Sequence, residues 1–291
     1  MVKSFAGPPG ETPFFAAYDE VLAQWPAGVE SRDLVSQFGS TRVQACGPDD
    51  APSVILLSGA GATSTVWFNN VAALSREHRV YAVDLMGDAG RSVPGGRRID
   101  RIDILMAWLD SVLDRLGLLG TALVGHSYGG QVALNYALHS PHRVRALALL
   151  DPTECFAGMS RGYLLRAAPV LVRPSARRRR SLIQWESGGL ELDPAWLRLT
   201  GLAAEFPKPA KFPKPAVVVH RPDPDRLQTS TVPTRVLLAG RSKAHDVATV
   251  AAQARKLMPR AVISTLPESS HHSLPIVHAD ALNRALLEFI G

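Results

Sequence analysis

Apolar residues in this chain fall into two repeating arrangements. Short continuous runs occur at Ser53–Leu57, Val80–Val83, Ala122–Val124, Val144–Leu150, Thr234–Ala239 and Val262–Leu266. Their length and their Val, Leu and Ile content fit strands buried on both faces. Between them, apolar positions recur three and four residues apart in Trp67–Leu74, Ile102–Leu116, Gln131–Leu138, Val247–Met258 and Ala279–Ile290, which predicts helices. Alternation of this kind predicts an α/β fold with a mostly parallel sheet flanked by helices. Ahead of it, Phe14–Trp25 predicts a helix across the main body. Leu34–Phe38 and Thr41–Cys46 predict a hairpin around Gly39-Ser40.

The alternation lapses after Asp151-Pro152 and resumes near Thr234. The intervening region carries helical patches and a duplication, Phe206-Pro-Lys-Pro-Ala followed by Phe212-Pro-Lys-Pro-Ala. Proline at that density cannot continue a helix or a central strand. The region 153–230 is therefore expected to be an inserted helical cap, part of it mobile and extended, on a body formed by 1–152 and 231–291.

Composition narrows the class without changing that picture. The 291 residues are 46% hydrophobic and 20% charged, which excludes a disordered chain, and no fibrous period is present. Two cysteines are too few for a disulfide framework or a cysteine-based zinc site. No run of about 18 apolar residues reads as a membrane span. Met1–Thr12 has Lys3 followed by Gly and Pro, unlike a signal peptide, so the expected compartment is the cytoplasm.

The net charge is +6, but it is concentrated. Seven arginines, Arg161, Arg166, Arg173 and Arg177 to Arg180, stand in a stretch with no acid, and the remaining chain carries about −1. A local cluster without a recognition helix, zinc finger or RNA-binding signature does not indicate a nucleic-acid partner. It fits a solvated face, or a contact with a membrane surface, an anionic substrate or a partner.

Candidate chemistry centres on Gly125-x-Ser127-x-Gly129, placed between an apolar strand and a predicted helix. A serine on a sharp strand-to-helix turn sits in strained backbone with its hydroxyl projecting from the sheet edge. Flanking glycines permit close backbone approach. The N–H of Tyr128 opens the following helix and faces the same space, where the helix dipole favours developing negative charge.

In these features the chain resembles an α/β-hydrolase and is similar to bacterial carboxylesterases of the naproxen-esterase type. The similarity runs along nearly the whole sequence. It includes Phe38-Gly39-Ser40-Thr41, Gly47-Pro48, the loop from Ser58 to Trp67, Tyr81-Ala82-Val83-Asp84, Gly125 to Gly130 and the segment around His271. The resemblance implies an eight-stranded, mostly parallel sheet and a serine hydrolase acting on an ester, thioester or lactone. It implies His271 as the base for Ser127, with His272 beside it as the lesser candidate. The usual pair at this point is Gly-His, and here Ser270 replaces the glycine. It also implies a second oxyanion donor, the N–H of Ala60, from Ser58-Gly59-Ala60-Gly61.

The acid departs from the family pattern. Lys243 stands where the resemblance implies Asp or Glu, three residues past Gly240. Two substitutes remain: Asp151, which closes the strand after the nucleophile helix, and Asp246, which is also a candidate helix N-cap. The stretch Asp84–Ser92 is expected to shape the loop beside the pocket. No dinucleotide fingerprint, phosphate loop or zinc motif is present, so no cofactor and no metal are expected. Phe156, Tyr163, Leu164, Leu165, Trp185 and Trp196 suggest a mostly apolar acyl pocket for a small-molecule ester. Because fold does not dictate reaction, a cyclase, lyase or acyl transferase, or a ligand-binding protein, stands as the alternative.

Overall fold

The computed structural model describes residues 12–206 and 217–291. Most of the Pro-Lys duplication, and with it the expected mobile stretch, lies outside the described residues, as does the N-terminal segment up to Glu11.

In chain order the elements are α1 (Pro13–Leu22), β1 (Glu30–Ser36), β2 (Gly39–Cys46), β3 (Ser53–Leu57), α2 (Val71–Leu74), β4 (Arg79–Val83), β5 (Val93–Pro94), α3 (Ile102–Arg115), β6 (Thr121–His126), α4 (Tyr128–His139) and β7 (Val144–Leu150). Then come α5 (Arg161–Val172), α6 (Ala176–Ser187), α7 (Pro194–Ala203), α8 (Pro224–Thr229), β8 (Thr234–Ala239), α9 (Val247–Leu257), β9 (Val262–Leu266) and α10 (Ala279–Ile290). The sheet runs β1-β2-β4-β3-β6-β7-β8-β9, with the two-residue β5 pairing β2 as a ninth strand. Every neighbour from β4 through β9 pairs in parallel; β1–β2 and β2–β4 are antiparallel.

Period-two alternation divides the core into two layers. Ile55 and Leu57 of β3 and Leu147 and Leu149 of β7 pack against α3, α4 and α9. Val54 and Leu56, with Ala146, Ala148 and Leu150, face α1, α2, α7 and α10. All these residues are fully or almost fully buried, so truncating one such leucine to alanine costs about 2–5 kcal/mol.

Three local expectations need correction. The hairpin turns at Gln37-Phe38, and Gly39 begins β2 with φ +117°. It is glycine because β5 crosses there: a Cβ would lie 2.1 Å from the Val93 carbonyl oxygen. The Trp67–Leu74 segment is not one helix but a 3-10 turn, Ser64–Trp67, followed by α2. In place of eight strands the sheet has nine, because Val93–Pro94 adds a short pairing that periodicity cannot detect.

After β4 the chain crosses back past β3 to form β6 on its other side. That reversal opens a crevice beyond the carboxyl ends of β3 and β6, where ligands bind in open α/β sheets. Between β7 and β8 the chain inserts α5, α6 and α7, of which Ile183 of α6 and Trp196 and Leu199 of α7 pack in the same core layer as α1 and α10. Leu227 of α8 packs into the body's own core. Among the described residues no helix is long and apolar enough to cross a membrane.

Candidate active site

The chain leaves β6 at His126 and enters α4 at Tyr128 through a single residue, Ser127, at φ 53° and ψ −118°. A positive φ is costly for a non-glycine residue and persists only where its surroundings impose it. The turn is tight enough to require both glycines. A Cβ on Gly125 would lie 2.3 Å from the Gly129 oxygen, and one on Gly129 would lie 2.3 Å from the Leu57 oxygen. Ser127 is half-buried. Tyr128 is the first residue of α4, where a backbone N–H has no carbonyl of its own helix to reach.

The loop between β9 and α10 brings His271 to this turn. Its Nε2 lies 2.9 Å from Ser127 Oγ, and its Nδ1 lies 2.7 Å from Asp151 Oδ2. A neutral imidazole with the proton on Nδ1 donates to the carboxylate and leaves Nε2 to accept from the serine hydroxyl. Asp151, at the end of β7, is fully buried and also has positive φ, 41°. Its Oδ1 accepts from the Ala239 N–H (3.0 Å) and His245 Nε2 (3.0 Å), and its Oδ2 also accepts from Ser242 Oγ (2.8 Å). Burial opposes its ionisation, but hydrogen bonds from His245 and His271 outweigh that and hold the carboxyl far below the usual carboxylate range. The other candidate acid, Asp246, is solvent-exposed and caps α9, accepting from the Thr249 N–H at 2.6 Å.

Two further histidines flank the pair, both held neutral. His126 Nε2 donates to the His271 carbonyl at 2.8 Å; burial, then the neighbouring His271, pushes its pKa down to about 3. His272 turns away from Ser127 toward the Tyr163 hydroxyl, 3.0 Å from its Nε2, and burial lowers its pKa well below the ordinary value.

The Ser58–Gly61 loop runs against the nucleophile: a Cβ on Gly59 would lie 3.1 Å from Ser127 Cβ. It is fastened from several sides. The Gly61 N–H donates to Asp88 Oδ2 at 2.7 Å, and Arg179 of α6 donates to the Ala60 carbonyl at 3.1 Å. Asp84, fully buried, accepts from the N–H groups of Ser64 and Arg91, both at 2.7 Å, and from Tyr18 Oη at 3.0 Å. Its stretch therefore shapes the loop beside the site.

Two residues at the site, Glu186 and His245, are not among the candidates read from the sequence. Glu186, at the end of α6, is fully buried, and its carboxylate accepts from the N–H groups of His271 (2.9 Å), His272 (3.0 Å) and Lys243 (3.2 Å) and from Ser270 Oγ (2.9 Å). Ser270, where the family resemblance implies glycine, thus has a partner. One signal for Glu186 was available: it is the first acid after the arginine run and sits in the last helical turn, where the dipole disfavours negative charge. His245, buried with its Nδ1 unpartnered, supports Asp151 and had no distinguishing pattern. Lys243, in the usual place of the acid, directs its ammonium to the Trp185 carbonyl and over that indole at 4.8 Å.

The expected ring of cap side chains does not form one pocket. Leu164 and Leu165 are exposed, while Phe156 and Trp196 pack in the two core layers. A cavity of about 520 Å³ among the described residues instead lies between the body and residues 217–220, with Leu85, Met86, Ile99 and Tyr128 in its wall beside charged groups such as Arg97 and Asp100.

Residues 54–285 match the alpha/beta hydrolase family model, and the chain belongs to that family. Within it, this protein is a carboxylesterase-like hydrolase. Carboxylesterase YbfK of Bacillus subtilis (strain 168) is 30% identical over 284 residues, covering 95% of this chain and 93% of that protein. The crystal structure of naproxen esterase (carboxylesterase NP) from Bacillus subtilis matches with a TM-score of 0.88 at 26% identity, covering 96% of this chain and 97% of its own. That of carboxylesterase CesB (YbfK) from the same organism matches with a TM-score of 0.87 at 29% identity, covering 95% and 96%.

Proposed function

We propose that this protein cleaves a small, mostly apolar carboxylic ester through an acyl-enzyme on Ser127. The carrying observation is the continuous contact from Ser127 Oγ to His271 Nε2 and from His271 Nδ1 to Asp151, at 2.9 and 2.7 Å. A serine hydroxyl is a weak nucleophile until a base removes its proton. His271 takes that proton as Ser127 Oγ bonds to the carbonyl carbon, and Asp151 stabilises the resulting imidazolium and fixes its tautomer. The N–H groups of Ala60 and Tyr128 receive the oxyanion, the second at the positive end of α4. His271 then protonates the departing alkoxide. Water, deprotonated by the same histidine, releases the acid and restores Ser127.

The substrate class rests on the apolar side chains Leu85, Met86 and Ile99 in the cavity wall beside Tyr128 and on the carboxylesterase relatives. The test is labelling by a fluorophosphonate, read by intact mass, alongside p-nitrophenyl ester turnover. Wild type should gain one label and turn over the ester, and Ser127→Ala should do neither. An unlabelled wild type, under conditions that label a control hydrolase, overturns the reading in favour of non-covalent chemistry or ligand binding.

A further inference from the structure

The arginine cluster lies mostly outside the site. Arg179 turns inward to the Ala60 carbonyl and Arg180 packs beside Gly201, but Arg161, Arg166, Arg173, Arg177 and Arg178 are exposed. Among the described residues none of these five forms an ion pair with a carboxylate. Arg161 and Arg173 stand at the two ends of α5, and Arg177 and Arg178 in the first turn of α6, next to a second feature. The inner side of α5 buries Tyr163 and Ala167, whereas Leu164, Leu165, Leu171 and Val172 are exposed by 45, 76, 74 and 77%. Positions 164, 165, 171 and 172 share one stripe of a 3.6-residue helix, with Ala168 completing it. Four of the ten large hydrophobic residues exposed among the described residues thus lie on this one helix. Scattered apolar residues on a surface need no explanation, but a contiguous stripe does.

Arg166 stacks on the Trp185 indole at 5.8 Å and Arg178 donates to the Arg173 carbonyl at 2.7 Å, but with no carboxylate on any of the five their charge is unneutralised. Aliphatic side chains beside such guanidinium groups match the chemistry of an anionic lipid surface. The leucines enter the boundary between headgroups and acyl chains, and the arginines meet the phosphates. A nucleic acid would engage the cations but gain little from four aliphatic side chains. We infer that the outer face of α5, with Arg173, Arg177 and Arg178, docks this protein peripherally on an anionic lipid bilayer. The docking goes beyond the esterase reading and does not depend on it, because it is measured without turnover. If both hold, the bilayer lies against the helix whose inner side carries Tyr163 to His272, so that lipid-dissolved esters are delivered at the cap.

The experiment is co-sedimentation of the full chain with vesicles of phosphatidylcholine alone and of phosphatidylcholine mixed equally with phosphatidylglycerol, at low and high salt. Binding is expected only to the anionic vesicles, weakening with salt. Removing two guanidinium groups, in Arg173→Gln/Arg177→Gln, should reduce partitioning by about twenty-fivefold, at roughly fivefold for each arginine near the surface. Leu165→Ser/Val172→Ser should reduce it by about tenfold or more. All four positions are solvent-facing, and an unchanged melting temperature verifies folding. Equal binding to neutral vesicles, no binding, or binding indifferent to both double variants overturns the inference. So does a dimer in light scattering that Leu165→Ser/Val172→Ser dissociates without any vesicle binding, since the stripe would then be covered by a second copy of the chain.

Discussion

Asp151 and His271 are 120 residues apart in the chain, yet the carboxylate meets the imidazole at 2.7 Å while His245, Ser242 and the Ala239 N–H occupy its remaining acceptor positions. Asp246 lies two residues beyond Ala244 and is spent on capping α9. The two aspartates should therefore separate cleanly in kinetics. Asp151→Asn is expected to lower kcat by about 10⁴, as removal of the acid does in serine hydrolases generally. Asp246→Ala should leave kcat within about twofold while lowering the melting temperature, through loss of the cap. Equal kcat values for the two variants on a p-nitrophenyl ester would contradict the assignment.

Glu186 holds the loop that carries His271 by its backbone. Truncation to alanine leaves the buried N–H groups of His271 and His272 without their acceptor, and each such loss costs about 1–3 kcal/mol. In Glu186→Ala, kcat is expected to fall by about 10–100-fold with little change in KM, because the base is displaced and the cavity beside Tyr128 is untouched. The melting temperature should fall as well. A variant that loses stability but retains wild-type kcat would restrict Glu186 to holding α6 on the body.

The oxyanion loop offers a steric test. In Gly59→Ala the new methyl would lie 3.1 Å from Ser127 Cβ and 3.2 Å from His126 Nδ1, so the loop must retreat by a few tenths of an ångström. Donor geometry is stringent at this position, and kcat should fall by about a hundredfold, the scale of losing one oxyanion donor. KM should change little. An unaltered kcat would mean that the Ala60 N–H does not serve the transition state.

Acid sensitivity follows from the buried histidines. His126, pushed down to about 3, and His272, also lowered, stay neutral in the folded protein at pH values where an unfolded histidine, with pKa about 6.5, takes up a proton. The unfolded state then binds more protons, so stability falls as pH drops from about 6.5 toward 3, by up to about tenfold in the unfolding constant per pH unit for each histidine. Asp151 reinforces the trend below about 4: its depressed pKa stabilises the fold above the unfolded carboxyl's range and that contribution is lost as the pH falls further. Urea unfolding between pH 8 and 4 should show this slope, reduced by about one proton in His126→Gln. An identical slope in the variant would contradict the neutral, buried state of His126.

Strand and helix periods are local, and they were legible. Ser53–Leu57, Val144–Leu150, Thr234–Ala239, Val262–Leu266 and Ala279–Ile290 have the bounds that their apolar patterns predict. The Gly125–Gly129 turn was equally legible, because each of its glycines answers a steric demand within a few residues or from the adjoining strand. The hairpin turn was misread at Gly39 because that glycine is required by β5, more than fifty residues further along the chain.

The sequence by itself determined the two-layered α/β body and the turn that exposes Ser127, since both depend on backbone preference and side-chain period over short spans. It left Asp151 and Asp246 open, because each has a plausible local reason to be aspartate at the end of an element. Only the tertiary structure brought Asp151, His245 and His271 together at the carboxyl ends of β7 and β8 and turned Lys243 toward Trp185. Glu186 was hidden for a related reason: three of its four donors are backbone N–H groups, which every residue but proline possesses, so no residue type in the loop announces them. Side-chain chemistry can be read from a sequence, but which distant backbone groups a buried carboxylate will meet depends on how the loops pack.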